Sequence, residues 1–397
     1  MRALTGDLRV ALQPILFLCS HNHGIGFRLL RICLLPALAF VHKAALDLQG
    51  DHVDISFFHQ HGEGVIGLDL HRAGGCYDLA LAVEKGIKVS VDSLDELRQL
   101  NAAAAEAGKT VEIAFRVNPE IDVPTHPKIA TGLATSKFGI PAGQILDAYR
   151  EALDAGHVNP VGIHCHIGSQ ILAVEPFARE VEVLIRVAGD LIDIGVDPQF
   201  IDIGGGLGIP YRRETDRAPT PEDYAGAIMP IFLKGIRDLG IEPELWIEPG
   251  RWLVGDSTIL LTRVNSVKTA HKTFANVDAG FNLLIRPAMY DAYHEVVAAN
   301  KADTPPQREY SVAGPICETG DILARDRMLP DLEAGDLIAV LDAGAYGFAM
   351  SSQYNSRPRC AEVLVAGGRA ALMRRAETID DLSATMLTPP WQEQVRR

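Results

Sequence analysis

Residues 161–206 read VGIHCHIGSQILAVEPFAREVEVLIRVAGDLIDIGVDPQFIDIGGG. Val161–Ile167 (VGIHCHI) is rich in β-branched residues and stops at Gly168-Ser169. Val174–Ile194 carries apolar residues at helical spacing, and Phe200–Ile203 (FIDI) returns to a β pattern before breaking on Gly204-Gly205-Gly206. Strand, helix and strand in this order make a parallel βαβ unit. The alternation extends both ways. Lys88–Asp92 (KVSVD) and Val111–Val117 (VEIAFRV) precede it and Glu244–Glu248 (ELWIE) follows, with helical stretches at Leu94–Ala107, Ala142–Ala155 and Pro221–Leu239. Polar residues gather past the carboxyl ends of these five strands, where a (β/α)8 barrel builds its active site. The spacing predicts a TIM-type barrel that needs three more strands.

After Arg251 the helices stop and strand-like runs take over at Thr258–Val267, Leu337–Leu341 and Ala361–Val365. This divides the chain into a recognisable barrel over 77–255 and a mainly β domain over 256–397, with Lys301–Pro306 and Glu377–Arg397 expected as loop and tail. The first 76 residues differ in composition. They hold three of the six cysteines and seven of the thirteen histidines but a single lysine, Lys43. The break points to a divergent region or a reading-frame change upstream of Gly75, an aberrant segment standing where the first three barrel strands should lie.

At 397 residues the chain exceeds what one core usually supports, and 47% apolar with 22% charged residues describes a folded globular protein. A net charge of −14 without clustered Lys and Arg argues against nucleic-acid binding. The apolar run Ile32–Val41 begins too late for a signal peptide and is too short to span a membrane. Cysteines with no CxxC pair fit a reducing, cytoplasmic compartment.

Three strand ends carry the chemistry. Period-two alternation puts His164 and His166 on one strand face, followed by a Gly-Ser turn able to hold phosphate. Gly204, Gly205 and Gly206 let the backbone approach an anion. Glu248-Pro249-Gly250-Arg251 adds a carboxylate, a rigid turn and a guanidinium. A carboxylate beside an anion site at a barrel mouth suits pyridoxal 5'-phosphate, whose ring nitrogen must stay protonated; Glu248 is the candidate, and His166 is placed to lie on the ring. The rival reading, a metal-dependent hydrolase using His164 and His166, lacks a further His/Asp ligand set on the other strand ends, so no metal is expected.

These segments resemble a known family. HIGSQ (166–170), IDIGGGLGIPY (201–211), WIEPGRWLVG (246–255), NLLIRPAMY (282–290), GPICETGD (314–321) and DAGAYGFAMSSQYNSRP (342–358) together resemble the diaminopimelate decarboxylases, within the fold-type III pyridoxal phosphate decarboxylases. THPKIATGLATSKFGI (125–140) is similar to the same family, and the likeness runs from about Tyr77 to Val365. It implies an alanine racemase-like barrel followed by a β domain, and decarboxylation of meso-2,6-diaminopimelate to L-lysine. Position by position, it implies that His166 stacks on the cofactor, Ser169 and Gly204–Gly206 hold its phosphate, and Glu248 pairs with the ring nitrogen within the matched Glu248–Arg251 turn. Arg251 contacts phosphate, substrate carboxylate or both. Arg286 and Tyr290 hold the substrate carboxylate, Cys317 returns the proton, Glu318 recognises the distal ammonium, and Tyr346 meets phosphate and substrate. Thr319 stands where the family usually has Ser. In the family the Cys317 segment enters the partner's site, so the resemblance also implies a homodimer with shared sites.

One departure stands out. The family carries its cofactor lysine at the end of the first barrel strand in a segment like YAVKAN, which is not recognisable here. Lys43 precedes Lys88–Asp92 too closely for two further β/α units of roughly 25 to 30 residues each. Correct spacing falls near Ser20-His21-Asn22-His23-Gly24. The missing motif leaves open an inactive pyridoxal phosphate-binding relative without the lysine. Separately, a decarboxylase of ornithine or arginine is the alternative substrate reading, against which Arg286, Tyr290 and Glu318 weigh.

Overall fold

A computed structural model describes residues 15–18, 76–133 and 135–389. The elements in chain order begin with strand β1 (Ile15–Leu18), helix α1 (Cys76–Lys85), β2 (Val89–Val91), α2 (Leu94–Ala107), β3 (Val111–Asn118), β4 (Ile140–Pro141) and α3 (Ile145–Asp154). They continue with β5 (Val158–Cys165), α4 (Glu175–Asp193), β6 (Phe200–Asp202), α5 (Pro221–Leu239), β7 (Glu244–Trp246) and α6 (Gly250–Val254). The chain then runs through β8 (Thr258–Thr269), β9 (Thr273–Val277), α7 (Arg286–Tyr290), β10 (Val296–Ala298), β11 (Arg308–Ala313) and β12 (Ile322–Leu329). It ends with β13 (Leu337–Val340), β14 (Ala361–Ala366), β15 (Arg369–Arg374) and α8 (Ile379–Ser383).

Two compact units form, divided between Trp252 and Leu253. The first is the β/α unit. Its sheet has the order β2-β3-β5-β6-β7, every pair parallel, with β4 added beside β3. Sequential order with helical crossovers is the barrel progression expected from the alternation. The helices begin and end where local chemistry dictates. Ser93 caps α2 by accepting from the Glu96 amide, and Gly108 closes it in the left-handed conformation. Thr220 and Asp223 form a reciprocal capping box on α5, and Gly240 ends it. The core between helices and sheet is built from residues such as Leu97, Phe115, Tyr149, Ile163, Phe177, Leu184 and Phe232.

The second unit is mainly β. Its sheet runs β12-β11-β9-β8-β1-β14-β15, with β13 pairing β8 and β10 pairing β13. Here the structure departs from the sequence reading of the first 76 residues. Ile15–Leu18 lies parallel to Thr258–Leu261 of β8 and antiparallel to Ala361–Leu364 of β14, so this segment belongs to the second sheet rather than to the barrel. An apolar four-residue strand fits any buried sheet, and nothing in ILFL distinguishes one from the other. The remainder of residues 1–75, including Lys43, Ser20–Gly24 and Ile32–Val41, lies outside the described residues. The 301–306 stretch is turn and irregular chain leading into β11, and Lys301 at its start is held by Asp336 (2.7 Å) and the Asp331 carbonyl (2.9 Å). One other expectation changes. The tail is ordered through α8, with Glu377 bound by Arg359 and Thr378 capping the helix.

Candidate active site

In the β/α unit the turn after β5 and the glycine turn after β6 are joined into one frame. The Ile171 amide donates to the Gly206 carbonyl (2.9 Å) and the Gly208 amide to the Ile171 carbonyl (3.0 Å). Gln170, at a left-handed φ of 58°, donates through Nε2 to the Ile209 carbonyl (2.7 Å) and accepts from the Ile209 amide (3.2 Å). On the other side, the Ser169 amide donates to the Ile129 carbonyl and the Thr125 hydroxyl to the Ser169 carbonyl. Ser169 is thus held by the 125–129 stretch, while its neighbours Gln170 and Ile171 are held by the turn after β6.

Its hydroxyl faces Arg251, whose Nη2 and Nε donate to it at 2.9 and 3.2 Å, while Nη1 donates to the Tyr211 hydroxyl at 2.7 Å. Arg251 is buried, so a positive charge sits between the Ser169 and Tyr211 hydroxyls. A donor set of this kind suits an anion. The glycines allow close backbone approach: a Cβ on Gly205 would lie 2.1 Å from the Glu248 carbonyl oxygen. The Gly205 amide donates to His166 Nδ1 (3.1 Å), and the Glu248 amide donates to the Gly204 carbonyl (2.7 Å). The ends of β5, β6 and β7 therefore bring His166, Ser169, Gly204–Gly206, Glu248 and Arg251 into one neighbourhood.

Behind them, the ligating atoms of His164, Asp202 and Glu248 lie within 4.8 Å of one another. The expectation that no other strand end adds a metal ligand to the histidine pair is corrected here. His164 meets two carboxylates, whereas His166 turns to Gly205, so the two histidines do not form the group together. Glu248 belongs to both constellations. His164 is oriented by Ser90, with Oγ and Nδ1 2.5 Å apart.

Cys165 points the other way, into the helix layer, against Glu180 of α4. Glu180 is fully buried and its carboxyl is held well above the usual range, chiefly by burial and then by the nearby negative charges of Asp202 and Glu248. Burial, with Glu180 beside it, also pushes the Cys165 thiol up.

In the β unit, Arg286 and Tyr290 open and close the one-turn helix α7. Arg286 is buried, with Nη1 2.7 Å from His294 Nε2. Cys317 and Glu318 are exposed on the loop between β11 and β12. Asp321 holds that loop from within, accepting from the Phe281 and Ile316 amides at 2.6 Å each; burial raises its pKa. The Tyr354 hydroxyl donates to Glu318 at 2.9 Å, and its ring stacks on Phe281 at 5.4 Å. Tyr346 is 46% exposed on a turn with φ 57°.

Residue-by-residue reading missed Gln170, Tyr211 and Asp321, although all three sit in the motifs HIGSQ, IDIGGGLGIPY and GPICETGD. Glu180 and His294 carry no such signal, since each gains its meaning from a partner on another element.

Residues 72–255 match the family described as pyridoxal-dependent decarboxylase, pyridoxal binding domain. A diaminopimelate decarboxylase of Archaeoglobus fulgidus is 57% identical over 314 residues, covering 79% of this chain and 74% of the relative. The chain belongs to the diaminopimelate decarboxylase family. Among solved structures, the Helicobacter pylori enzyme complexed with L-lysine is 34% identical with a TM-score of 0.72, covering 81% of this chain and 77% of that one. The M. jannaschii enzyme in co-complex with L-lysine is 39% identical with a TM-score of 0.73, covering 80% and 73%. Members of this family are pyridoxal-dependent, and the fold is a (β/α)8 barrel followed by a β domain. No helix among the described residues is long and apolar enough to cross a membrane.

Proposed function

We propose that this protein decarboxylates meso-2,6-diaminopimelate to L-lysine with pyridoxal phosphate. The observation that carries this reading is the 57% identity to a diaminopimelate decarboxylase over 314 residues. The donor set suits the cofactor: a buried guanidinium, a hydroxyl and glycine backbone for a phosphate, with an acidic group on the adjoining strand end. Bound there, pyridoxal phosphate supplies the electron sink that lets a carboxylate leave as carbon dioxide. Arg251, Ser169 and the Gly204–Gly206 turn hold the phosphate, Glu248 keeps a proton at the ring nitrogen, Pro249 and Gly250 shape its turn, and His166 supports the ring.

Arg286 and Tyr290 bind the carboxylate that is retained, a match of guanidinium fork and phenol to a planar anion. Glu318, oriented by Tyr354, recognises the distal ammonium, and Tyr346 meets substrate and phosphate. Cys317 delivers the proton that replaces the lost carboxylate. The Cys317–Glu318 loop serves the site of a partner subunit, which makes the working unit a homodimer. Scattered cysteines, with Cys165, Cys317 and Cys360 free among the described residues, support a cytoplasmic location.

The test is an activity panel on meso-diaminopimelate, ornithine, arginine and lysine, with absorbance spectra before and after borohydride reduction and peptide mapping of the labelled lysine. Faster turnover of ornithine or arginine would overturn the substrate. Cofactor binding with no trapped lysine and no turnover would favour the inactive relative, the reading raised by the unrecognisable lysine motif.

A further inference from the structure

The functional reading gives Arg286 a role but not the means of aiming it. His294 lies just before β10 and is fully buried, with the backbone beside it fixed by the Leu341 amide donating to the Glu295 carbonyl at 2.8 Å. The ring is held at both nitrogens. Nδ1 is 2.8 Å from the Leu341 carbonyl oxygen, and Nε2 is 2.7 Å from Arg286 Nη1. A carbonyl oxygen only accepts, so Nδ1 carries the hydrogen. A guanidinium only donates, so Nε2 offers its lone pair.

From this geometry we infer that His294, as the neutral Nδ1–H tautomer, is the positioning residue that fixes the Arg286 guanidinium for a ligand carboxylate. The inference rests on the carboxylate-binding role proposed for Arg286 and deepens it. An imidazole acceptor orients the guanidinium without bringing a negative charge of its own. A carboxylate in its place would compete with the ligand for the same cation. Both side chains are buried, so neither has freedom to swing. The arrangement selects amino acids that keep a carboxylate at the end away from the cofactor, and it does nothing for diamines.

The experiment compares wild-type, His294→Asn and His294→Gln proteins, each saturated with pyridoxal phosphate, by calorimetric titration with L-lysine and with 1,5-diaminopentane. Asn keeps a donor for the Leu341 carbonyl but offers no acceptor to Arg286, whereas the Gln amide oxygen reaches as far as Nε2. The expected result is an L-lysine Kd raised about tenfold or more in His294→Asn, the usual scale for a hydrogen bond to a charged group. His294→Gln restores binding, and the diamine Kd stays unchanged in all three.

Equal L-lysine binding by wild type and His294→Asn overturns the positioning role alone. A wild-type protein that binds neither ligand overturns the functional reading and this role with it. Should both variants fail to fold, 15N chemical shifts of wild-type His294 at neutral pH decide the matter. A neutral ring protonated at Nδ1 supports the inference, and an imidazolium or a ring protonated at Nε2 overturns it.

Discussion

Two nitrogens of Arg251 donate to a single oxygen, the Ser169 hydroxyl, at 2.9 and 3.2 Å. With its lone pairs engaged by the guanidinium, the hydroxyl directs its own hydrogen away from Arg251, which turns Ser169 into an oriented donor. Replacing Ser169 by Ala removes that donor and leaves two N–H groups of a buried cation without their acceptor. The cofactor dissociation constant is expected to rise on the order of tenfold to a hundredfold. An absorbance titration of the apoprotein measures it, and unchanged affinity would exclude Ser169 from the phosphate site.

Gly205 is the point where backbone meets backbone. A methyl group there would lie 2.1 Å from the Glu248 carbonyl oxygen, so Gly205→Ala must push the β7 end away from the glycine turn. Cofactor affinity should fall by more than tenfold, since Glu248 and the turn shift together. If the variant folds and loads cofactor like wild type, Glu248 and the glycine turn do not act as one site.

Glu180 gives a pH signature. Its folded pKa is raised, so unfolded chains ionise near the ordinary carboxylate value while the folded protein still holds the proton. The contribution of this group is fully present below that ordinary value and is lost as pH rises toward the folded pKa. Glu180→Gln keeps a polar group beside Cys165 and has no charge to lose. Its gain over wild type should therefore grow as pH rises above the ordinary carboxylate range. Thermal melts from pH 5 to 8 check this, and a difference in Tm that stays flat across the range would contradict it.

Asp321 accepts the Ile316 amide of the loop that carries Cys317 and Glu318, and the Phe281 amide of the segment after β9, which ties the two together. Asparagine has one carbonyl oxygen, so one buried N–H loses its acceptor in Asp321→Asn at a cost of about 1–3 kcal/mol. Because Cys317 and Glu318 ride on this loop, kcat/KM should fall further than Tm suggests, while cofactor binding in the other unit is retained. A loss of cofactor affinity equal to the loss of activity would count against that division of labour.

The sequence spoke clearly where structure is local. Leu94–Ala107 and Pro221–Leu239 are helices over the residues their spacing predicts, because Ser93, Gly108, Thr220 and Gly240 punctuate them. It spoke less clearly at β5, which begins at Val158 rather than Val161. Pro160 argues against a strand, yet the pairing with β3 absorbs it through a register shift between Ile113 and Ala114. The strand-end residues His166, Ser169, Glu248 and Arg251 were readable because each sits in a short run with a fixed backbone purpose. His294 with Arg286, Glu180 with Cys165, and Tyr211 with Arg251 were not, since burial and a partner elsewhere in the chain define them.

The insertion of Ile15–Leu18 between β8 and β14 has a consequence for biogenesis. The barrel is encoded as an interruption within the β unit: the first strand of that unit leaves the ribosome before the barrel, and its two neighbours only afterwards. Pairing Ile15 with Thr258 closes a loop of more than two hundred residues, an event that local propensity cannot hasten. During synthesis the nascent β1 must wait without its sheet while the barrel forms. A fragment starting at Leu253 would meanwhile present two bare strand edges, on β8 and β14, to any chain able to fill the gap. Supplying residues 15–18 as a separate peptide to such a fragment would be strand complementation, with the barrel left out altogether.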